Sequence, residues 1–476
     1  MKTNRVLILN PPFDRICGRD YYCSWISLVR DFSVPLDLLV LSGTLSKEFE
    51  ISVIDAIASG LDYKECYQEI MRQDFDAIVF ITGGVSWWKD FQLLAEIKKQ
   101  KKDAVFIGSG DRLLFRGPEV MEECGFLDGI LLDFTTSDVL DYLRNGKEVN
   151  NMIYRRDGEV VIGSRTQQSG TFGYPVPRHE LFPIKRYVDR LARRKPISAI
   201  ITDFGCPFRC SFCAGQGLKP KYRDVDNAME ELNYIASLGI KELRFKDLTF
   251  GSNQRNSINL CKRMIADKLD ISWFAASRVD RLSEELLYFM KKAGCHTLLL
   301  GVENASDEVL AQYDKRITVE QTKRAFELCR KYKIKAGGYF ILGLPGETKE
   351  TVKRTISFAR ELDCDYAIFR TAEATMGSLL REEAIDKQWI NKDKDEKYAY
   401  HFPNAGQFTV EEITKLRKKA VWQFYFRPSY IFRRLSRLSD WRELRKSILY
   451  GIKSLSLMLR GKGRWIEELR DGPERI

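Results

Sequence analysis

The chain has 476 residues, 44% hydrophobic and 30% charged, with 14 prolines and 32 glycines. That supports two or three domains with real cores and excludes disordered, collagen-like and low-complexity proteins. The net charge is +11, and residues 413–476 alone hold 17 Lys/Arg against 6 Asp/Glu, so the rest of the chain is neutral and no general affinity for nucleic acid is expected.

The chain opens on Val6–Leu9, a four-residue apolar run closed by Asn10-Pro11-Pro12. It is too short for a signal peptide and reads as a first strand. No run of about 18 uncharged apolar residues follows, so no membrane-spanning helix is expected and the location is expected to be cytoplasmic. Strands Ile51–Ile54, Ala77–Ile81, Ala104–Ile107 and Gly129–Leu132 come next, separated by helical patterns such as Tyr63–Met71 and Trp87–Lys99. Alternating β and α with buried apolar strands predicts a doubly wound parallel sheet over residues 1–146. Such sheets bind ligands beyond the carboxyl ends of their strands. Gly83, Gly84 and Ser86, and then Gly108, Ser109 and Gly110, lie at those ends and suit a large flat ligand. The connection 11–34 is long for a βα loop and is a candidate lid.

Residues 147–190 read as a linker. It includes a small hairpin, Met152–Arg155 and Glu159–Ile162, around an Asp157-Gly158 turn, followed by Pro175, Pro177 and Pro183. Over residues 191–380 a second series places strands at Ala199–Phe204, Glu242–Lys246, Ile271–Ala275, Thr297–Val302, Ala336–Leu342 and Tyr366–Phe369. Helices are expected at Val225–Leu238, Ile258–Asp267, Glu284–Ala293, Val319–Lys331 and Thr351–Leu362. Six βα units predict a partial (β/α)6 barrel with chemistry at the C-terminal strand ends. Residues 381–476 form a basic, mainly helical extension. In it Trp441, Leu444, Ile448, Ile452, Leu455 and Leu459 recur at helical spacing among arginines and lysines. Such a helix suits an anionic membrane surface or packs on the barrel.

Eleven cysteines without a secretion signal argue against a disulfide framework. Cys261, Cys295 and Cys329 sit in apolar contexts and read as core thiols. Cys206, Cys210 and Cys213 differ: they follow the first barrel strand, spaced C-x3-C-x2-C. A structural zinc site needs a fourth ligand, and no second cysteine pair accompanies them; the only histidines are His179, His296 and His401. Thiolates are the usual ligands of iron–sulfur clusters, and three of them on a four-iron cluster leave one iron open.

With this loop the sequence resembles the radical S-adenosylmethionine (SAM) superfamily. The resemblance continues through Phe245–Phe250, Ser277–Asp280, Lys291–Cys295, Gly301–Asn304 and Gly338–Thr348. The order of domains resembles the branch with a cobalamin-binding domain, over about residues 4–435, from Asn10-Pro11-Pro12-Phe13 to Tyr425–Ile431. Two features depart from it. No histidine precedes His179, so no histidine ligand to cobalt is available in the first domain, and a glycine-rich segment of that branch is here Leu131–Ser137.

The resemblance implies a radical SAM enzyme. Cys206, Cys210 and Cys213 would hold a 4Fe-4S cluster, SAM would chelate its open iron, and reduction would yield a 5′-deoxyadenosyl radical. Lys246 and Asp247 are placed to meet the SAM amine or carboxylate, unless Asp247 caps a loop. Arg278 and Glu303 are suited to the ribose or carboxylate, unless they form internal ion pairs. Gly343 and Gly346 would let the chain pass close to adenine, and the first sheet would bind cobalamin. The expected reaction is C-methylation of an unactivated carbon in a small-molecule, hydrophobic or lipid-like substrate. The alternatives are cyclisation or rearrangement without methyl transfer, and a sensor without turnover. Flavodoxin or ferredoxin would supply electrons, peripheral membrane contact would follow from the tail, and no nucleic acid is expected.

Overall fold

A computed structural model describes residues 3–27, 31–145, 148–165, 170–390, 399–400 and 408–436. The first sheet runs in the order Glu50–Asp55, Arg5–Asn10, Ala77–Ile81, Val105–Ser109, Gly129–Leu131, all parallel. Its central strands are apolar on both faces because helices cover both. From Arg5–Asn10 the chain passes to a neighbour on one side and then, with Ala77–Ile81, to the other. That places a topological switch point at Asn10 and Thr82, where such sheets open a crevice.

The hairpin expected in a linker belongs to this sheet. Met152–Arg156 pairs antiparallel with Gly129–Leu131, and Glu159–Ile162 forms the outer edge. A boundary at 146 would therefore cut a continuous sheet and leave the backbone of Gly129–Leu131 unpaired on one side. Asp157 and Gly158 both have positive φ, 51° and 88°, as a two-residue turn that follows strand twist requires.

The second sheet has six parallel strands in chain order: Ile197–Ile200, Glu242–Phe245, Ser272–Arg278, Cys295–Glu303, Lys335–Leu342 and Tyr366–Thr371. The helices Val225–Ser237, Gln254–Ala266, Glu284–Lys292, Val319–Lys331 and Lys349–Glu361 bury the outer core. It is an open (β/α)6 half-barrel. The first strand is shorter than expected. Asp203 and Phe204 leave it and pair antiparallel with Lys221–Arg223, because the Asp247 carboxylate takes the backbone N–H groups of Thr202 and Asp203 at 2.6 and 3.0 Å. At the free edge stands the helix Val410–Tyr425. The Tyr425 hydroxyl donates to the Ala367 carbonyl at 2.9 Å and accepts from its N–H at 3.1 Å, satisfying groups that an edge strand leaves open.

Connection 11–34 is not a loose lid. Cys17–Asp20 and Cys23–Ile26 form an antiparallel hairpin whose tip reaches the half-barrel. Tyr21 stacks on Phe204 at 5.1 Å and meets Phe134 edge-on at 5.2 Å, Asp20 pairs with Lys246, and Asp133 pairs with Lys221. Leu131–Ser137, which departs from the related glycine-rich pattern, thus contributes Asp133 and Phe134 to the contact between the two sheets. The amphipathic stretch Trp441–Leu459 and His401 lie outside the described residues. No described helix is long and apolar enough to cross a membrane.

Candidate functional site

Cys206, Cys210 and Cys213 lie at the carboxyl end of the half-barrel, on a loop that backbone bonds hold in place. The N–H of Cys206 donates to Leu218, that of Ser211 to Tyr313 and that of Cys213 to Cys210, at 3.1, 3.0 and 3.0 Å. Gly205 starts the loop at φ 73°, and a Cβ there would stand 2.4 Å from the Lys219 carbonyl oxygen, so only glycine fits. All three thiols are free of disulfides. Burial pushes the thiol of Cys213 up to about 12 and raises that of Cys210, which Lys315 and Arg278 pull back. Among the described residues no three acidic, His or Cys side chains close around one point as a single metal ion requires. A cluster makes a different demand, since each thiolate meets its own iron. Three thiols outside any disulfide, with Arg278 and Lys315 acting on Cys210, fit such a group, whose sulfurs carry negative charge.

The strand-end charges are arranged around this loop. Arg278 donates from Nη1 to Cys210 Sγ at 3.3 Å, from Nη2 to the Lys315 carbonyl at 2.6 Å and from Nε to Asp280 at 3.0 Å. Its plane lies 3.8 Å from the Phe208 ring. It is therefore a partner of the cysteine loop. Glu303 pairs with Lys315 at 2.7 Å. Its backbone is left-handed, φ 64°, which for a non-glycine residue costs about 1–3 kcal/mol and marks sites where strain is kept. Gly301 makes room for the pair: a Cβ there would come within 2.5 Å of Glu303 Oε1 and 2.6 Å of Lys315 Nζ. Lys315 escaped the sequence reading, because nothing local marks a lysine in a turn between two helices.

Other expected contacts are already committed. Asp247 caps the Thr202–Asp203 turn, also accepting from Thr202 Oγ1 at 2.5 Å. Burial raises its carboxyl to about 6, and burial together with the Asp247 charge raises Asp203 well above the carboxylate range. Lys246 is taken by Asp20. Gly343 has φ 83°, and its missing Cβ would stand 2.8 Å from Ile413; that of Gly346, φ 97°, would lie 3.1 Å from Gln312. Both serve the turn built on buried Glu347, which accepts from Gly343 N–H, Leu344 N–H and Asn304 Nδ2 at 2.7, 2.9 and 2.7 Å. The positive φ at both positions is what favours glycine there. His296 shares hydrogen bonds with Glu242 at 2.6 Å and Thr297 at 2.7 Å, a buried structural arrangement at the strand start.

At the first sheet the switch-point crevice is filled by the chain itself. Arg19 of the hairpin donates to Asn10 Oδ1, the Pro11 carbonyl, Ser86 Oγ and Asp90 Oδ1 at 2.6, 2.9, 3.0 and 2.8 Å. The missing Cβ of Gly83 would stand 2.6 Å from Ser24 Cβ, that of Gly108 2.3 Å from Leu113, and that of Gly110 1.9 Å from the Thr82 carbonyl oxygen. Gly84 N–H is held by Asp111 at 2.8 Å. Gly83, Gly84, Ser86, Gly108 and Gly110 thus lie at the carboxyl edge of the sheet, in contact with the hairpin and with neighbouring turns. Ser109 instead donates to Asp37 Oδ2 at 2.5 Å.

Beside that bond two buried polar atoms have no hydrogen-bond partner among the described residues: Oδ1 of Asp37 and the hydroxyl of Tyr21. Unsatisfied buried groups are costly and call for an explanation. They fit a ligand that carries amides, with a donor for one and an acceptor for the other. Burial raises the Asp37 carboxyl to about 7, with the Asp20 charge adding to it and Ser109 and Lys246 opposing. A raised acid favours the fold when protonated, so the cost of charging Asp37 is absent well below the ordinary value and complete above pH 7. Asp37→Asn should therefore stabilise the protein by more at pH 8 than at pH 4.5, measured by denaturant midpoints. Equal midpoint shifts at both pH values would show that Asp37 is not desolvated.

The description "Radical SAM superfamily" matches residues 200–359. An uncharacterized methyltransferase of Pyrococcus horikoshii is 32% identical over 91% of this chain and 95% of its own length. The anaerobic magnesium-protoporphyrin IX monomethyl ester cyclase of Rubrivivax gelatinosus is 26% identical over 74% of this chain and 66% of its own length. The radical SAM methyltransferase TsrM of Kitasatospora setae, solved with cobalamin and a [4Fe-4S] cluster bound, superposes with a TM-score of 0.64 at 19% identity. It covers 81% of this chain and 75% of its own. The half-barrel and the doubly wound sheet ahead of it share their fold with that structure, and with a relative matched almost end to end the chain belongs to the radical SAM superfamily of enzymes.

Proposed function

We propose that the protein is a cobalamin-dependent radical SAM methyltransferase acting on an unactivated carbon of a hydrophobic or lipid-like substrate. The observation that carries the radical part is the set of three free thiols at the carboxyl end of the half-barrel, with Arg278 3.3 Å from one of them and Lys315 on the same side. The methyltransferase part is supported by the relative in Pyrococcus horikoshii, which matches almost end to end.

In this reading Cys206, Cys210 and Cys213 hold a 4Fe-4S cluster, which when bound supplies the electron that cleaves SAM. Arg278 and Lys315 lower the cost of negative charge beside the thiolates. Glu303, kept in a strained backbone and paired with Lys315, is a strand-end acceptor suited to a hydroxyl or ammonium of SAM. Cobalamin is assigned to the space between the sheets, with Asp37 and Tyr21 meeting its amides, and when bound it supplies a methyl carrier. The absence of any histidine before His179 means that the first domain offers no imidazole to cobalt.

The test is anaerobic purification with iron, sulfide and cobalamin supplied, followed by cobalt analysis and incubation with SAM and a strong reductant. Formation of 5′-deoxyadenosine with cobalt near one per chain is expected. Protein that makes 5′-deoxyadenosine yet holds no cobalt removes the methyl-transfer part and leaves radical cyclisation. That second reading is favoured by the likeness to the Rubrivivax gelatinosus cyclase. A product heavier by a methyl group supports the first, and a product lighter by two hydrogens the second. A flavodoxin- or ferredoxin-type reductant is the expected partner, and the basic amphipathic stretch Trp441–Leu459 is the proposed contact with a membrane or lipid.

A further inference from the structure

The three thiols of the cysteine loop are not equivalent. Among the described residues the Cys206 sulfur meets a neutral hydroxyl, Thr249 Oγ1 at 3.8 Å, and Cys213 meets the Gly215 backbone. Cys210 alone of the three receives a cationic donor, Arg278 Nη1 at 3.3 Å.

The rest of the guanidinium is pinned so that this N–H keeps its aim. An arginine has five N–H groups fixed in one plane. Nε donates to Asp280 Oδ1 at 3.0 Å, and Nη2 to the Lys315 carbonyl at 2.6 Å and to Asp280 Oδ2 at 3.5 Å. The Phe208 ring lies against the plane at 3.8 Å, and Phe208 stands between Cys206 and Cys210 in the loop itself. Three separate elements thus hold one side chain: the turn after its own strand, the turn that carries Lys315, and the cysteine loop. The side chain is 5% exposed, so little water reaches the sulfur-facing N–H to screen its charge. Nor does Asp280 cancel that charge, because the same carboxylate also holds Arg281 at 3.2 Å. Two cations share one acid, and the excess positive charge lies on the side of the Cys210 sulfur.

We infer that Arg278 sets the reduction potential of the cluster held by this loop, raising it through the bond to Cys210, with Asp280 as the opposing charge. This rests on the reading of the three cysteines as cluster ligands and adds which side chains govern electron entry. One electron from a low-potential donor of the flavodoxin or ferredoxin type adds one negative charge to the cluster, with no bond broken and no proton moved. A fixed cationic donor at a ligand sulfur favours the more negative state, and hydrogen bonds to the sulfurs are among the determinants of such potentials. Arg278 is in this sense a positioning residue: it acts through Cys210.

The experiment is a potentiometric titration of the anaerobically reconstituted full-length protein without SAM, followed by the electron paramagnetic resonance signal of the reduced cluster. Arg278→Met keeps an apolar stem against Phe208 and removes the donor. It should make reduction about tenfold less favourable, a fall of about 59 mV for one electron. Asp280→Asn keeps an acceptor for Nε and removes the opposing charge, so it should shift the midpoint upwards. A loosened loop would move both variants the same way, and opposite shifts at equal iron content separate charge from scaffolding. The inference is overturned if Arg278→Met with its full iron content titrates like wild type, or if Asp280→Asn leaves the midpoint unchanged or lowers it. If Arg278→Met does not retain iron, Asp280→Asn decides alone. Iron content and formation of 5′-deoxyadenosine in the wild-type preparation report separately on the cluster reading.

Discussion

Replacing Cys206, Cys210 and Cys213 together by alanine should strip the reconstituted protein of its iron, about four atoms per chain, and abolish formation of 5′-deoxyadenosine from SAM. The fold should survive. The loop is shaped by Gly205 and by the backbone bonds from Cys206, Ser211 and Cys213, none of which uses a thiol. Circular dichroism and the thermal midpoint of the metal-free protein should therefore match those of metal-free wild type. Cys210→Ser alone should lose most activity as well. Arg278 Nη1 points at the Cys210 sulfur, and a serine hydroxyl accepts that bond without becoming a competent iron ligand at neutral pH. A triple variant that still cleaves SAM would remove the basis of the proposed function, whatever the state of cobalamin.

Much of this arrangement is legible in the sequence because it rests on local signals. Strand and helix periods place the two βα series within a few residues, the Asp157-Gly158 pair marks its hairpin, and three closely spaced cysteines need no tertiary information. The helix Leu36–Leu45 went unread for a physical reason. All ten of its residues are buried, so no polar face sets a 3.6-residue period. In the sequence the hairpin Cys17–Ile26 resembles a loop because Arg19 and Asp20, charged residues in a strand, break the expected alternation. They are tolerated because each finds a partner far along the chain, Asp90 and Lys246. The same limit applies to Lys315, whose position follows from which elements the fold brings together. Of the strand-end residues suited to ligands, Asp247, Gly343 and Gly83 also hold turns and pack against the chain. A strand end marks where a site lies without saying which of its side chains the protein needs for itself.

The hairpin's anchorage should be among the costliest ion pairs to break. Arg19 and Asp90 have side chains 1% and 0% exposed, and Asp90 Oδ2 also accepts from Thr82 and Ser86 at 2.7 and 2.8 Å. Arg19→Ala leaves a buried carboxylate facing only hydroxyls and strips Asn10 and the Pro11 carbonyl of their donor. Breaking such a pair from one side costs about 3–5 kcal/mol. Arg19→Met with Asp90→Leu removes both charges at once and should cost much less, so a double-mutant cycle isolates the pair. The effect should also appear locally. Cys17 is buried on the same strand, and its alkylation by a thiol reagent should speed up in Arg19→Ala as the hairpin lifts, while core Cys261 stays protected. The hairpin tip carries Asp20 to Lys246 and Tyr21 to Phe204, so lifting it also unlocks the two sheets from each other. If Arg19→Ala shifts the denaturant midpoint by less than about 1 kcal/mol and leaves Cys17 protected, the crevice is held by apolar packing alone, and Arg19 is free to yield its place at Asn10 and Ser86 to a ligand.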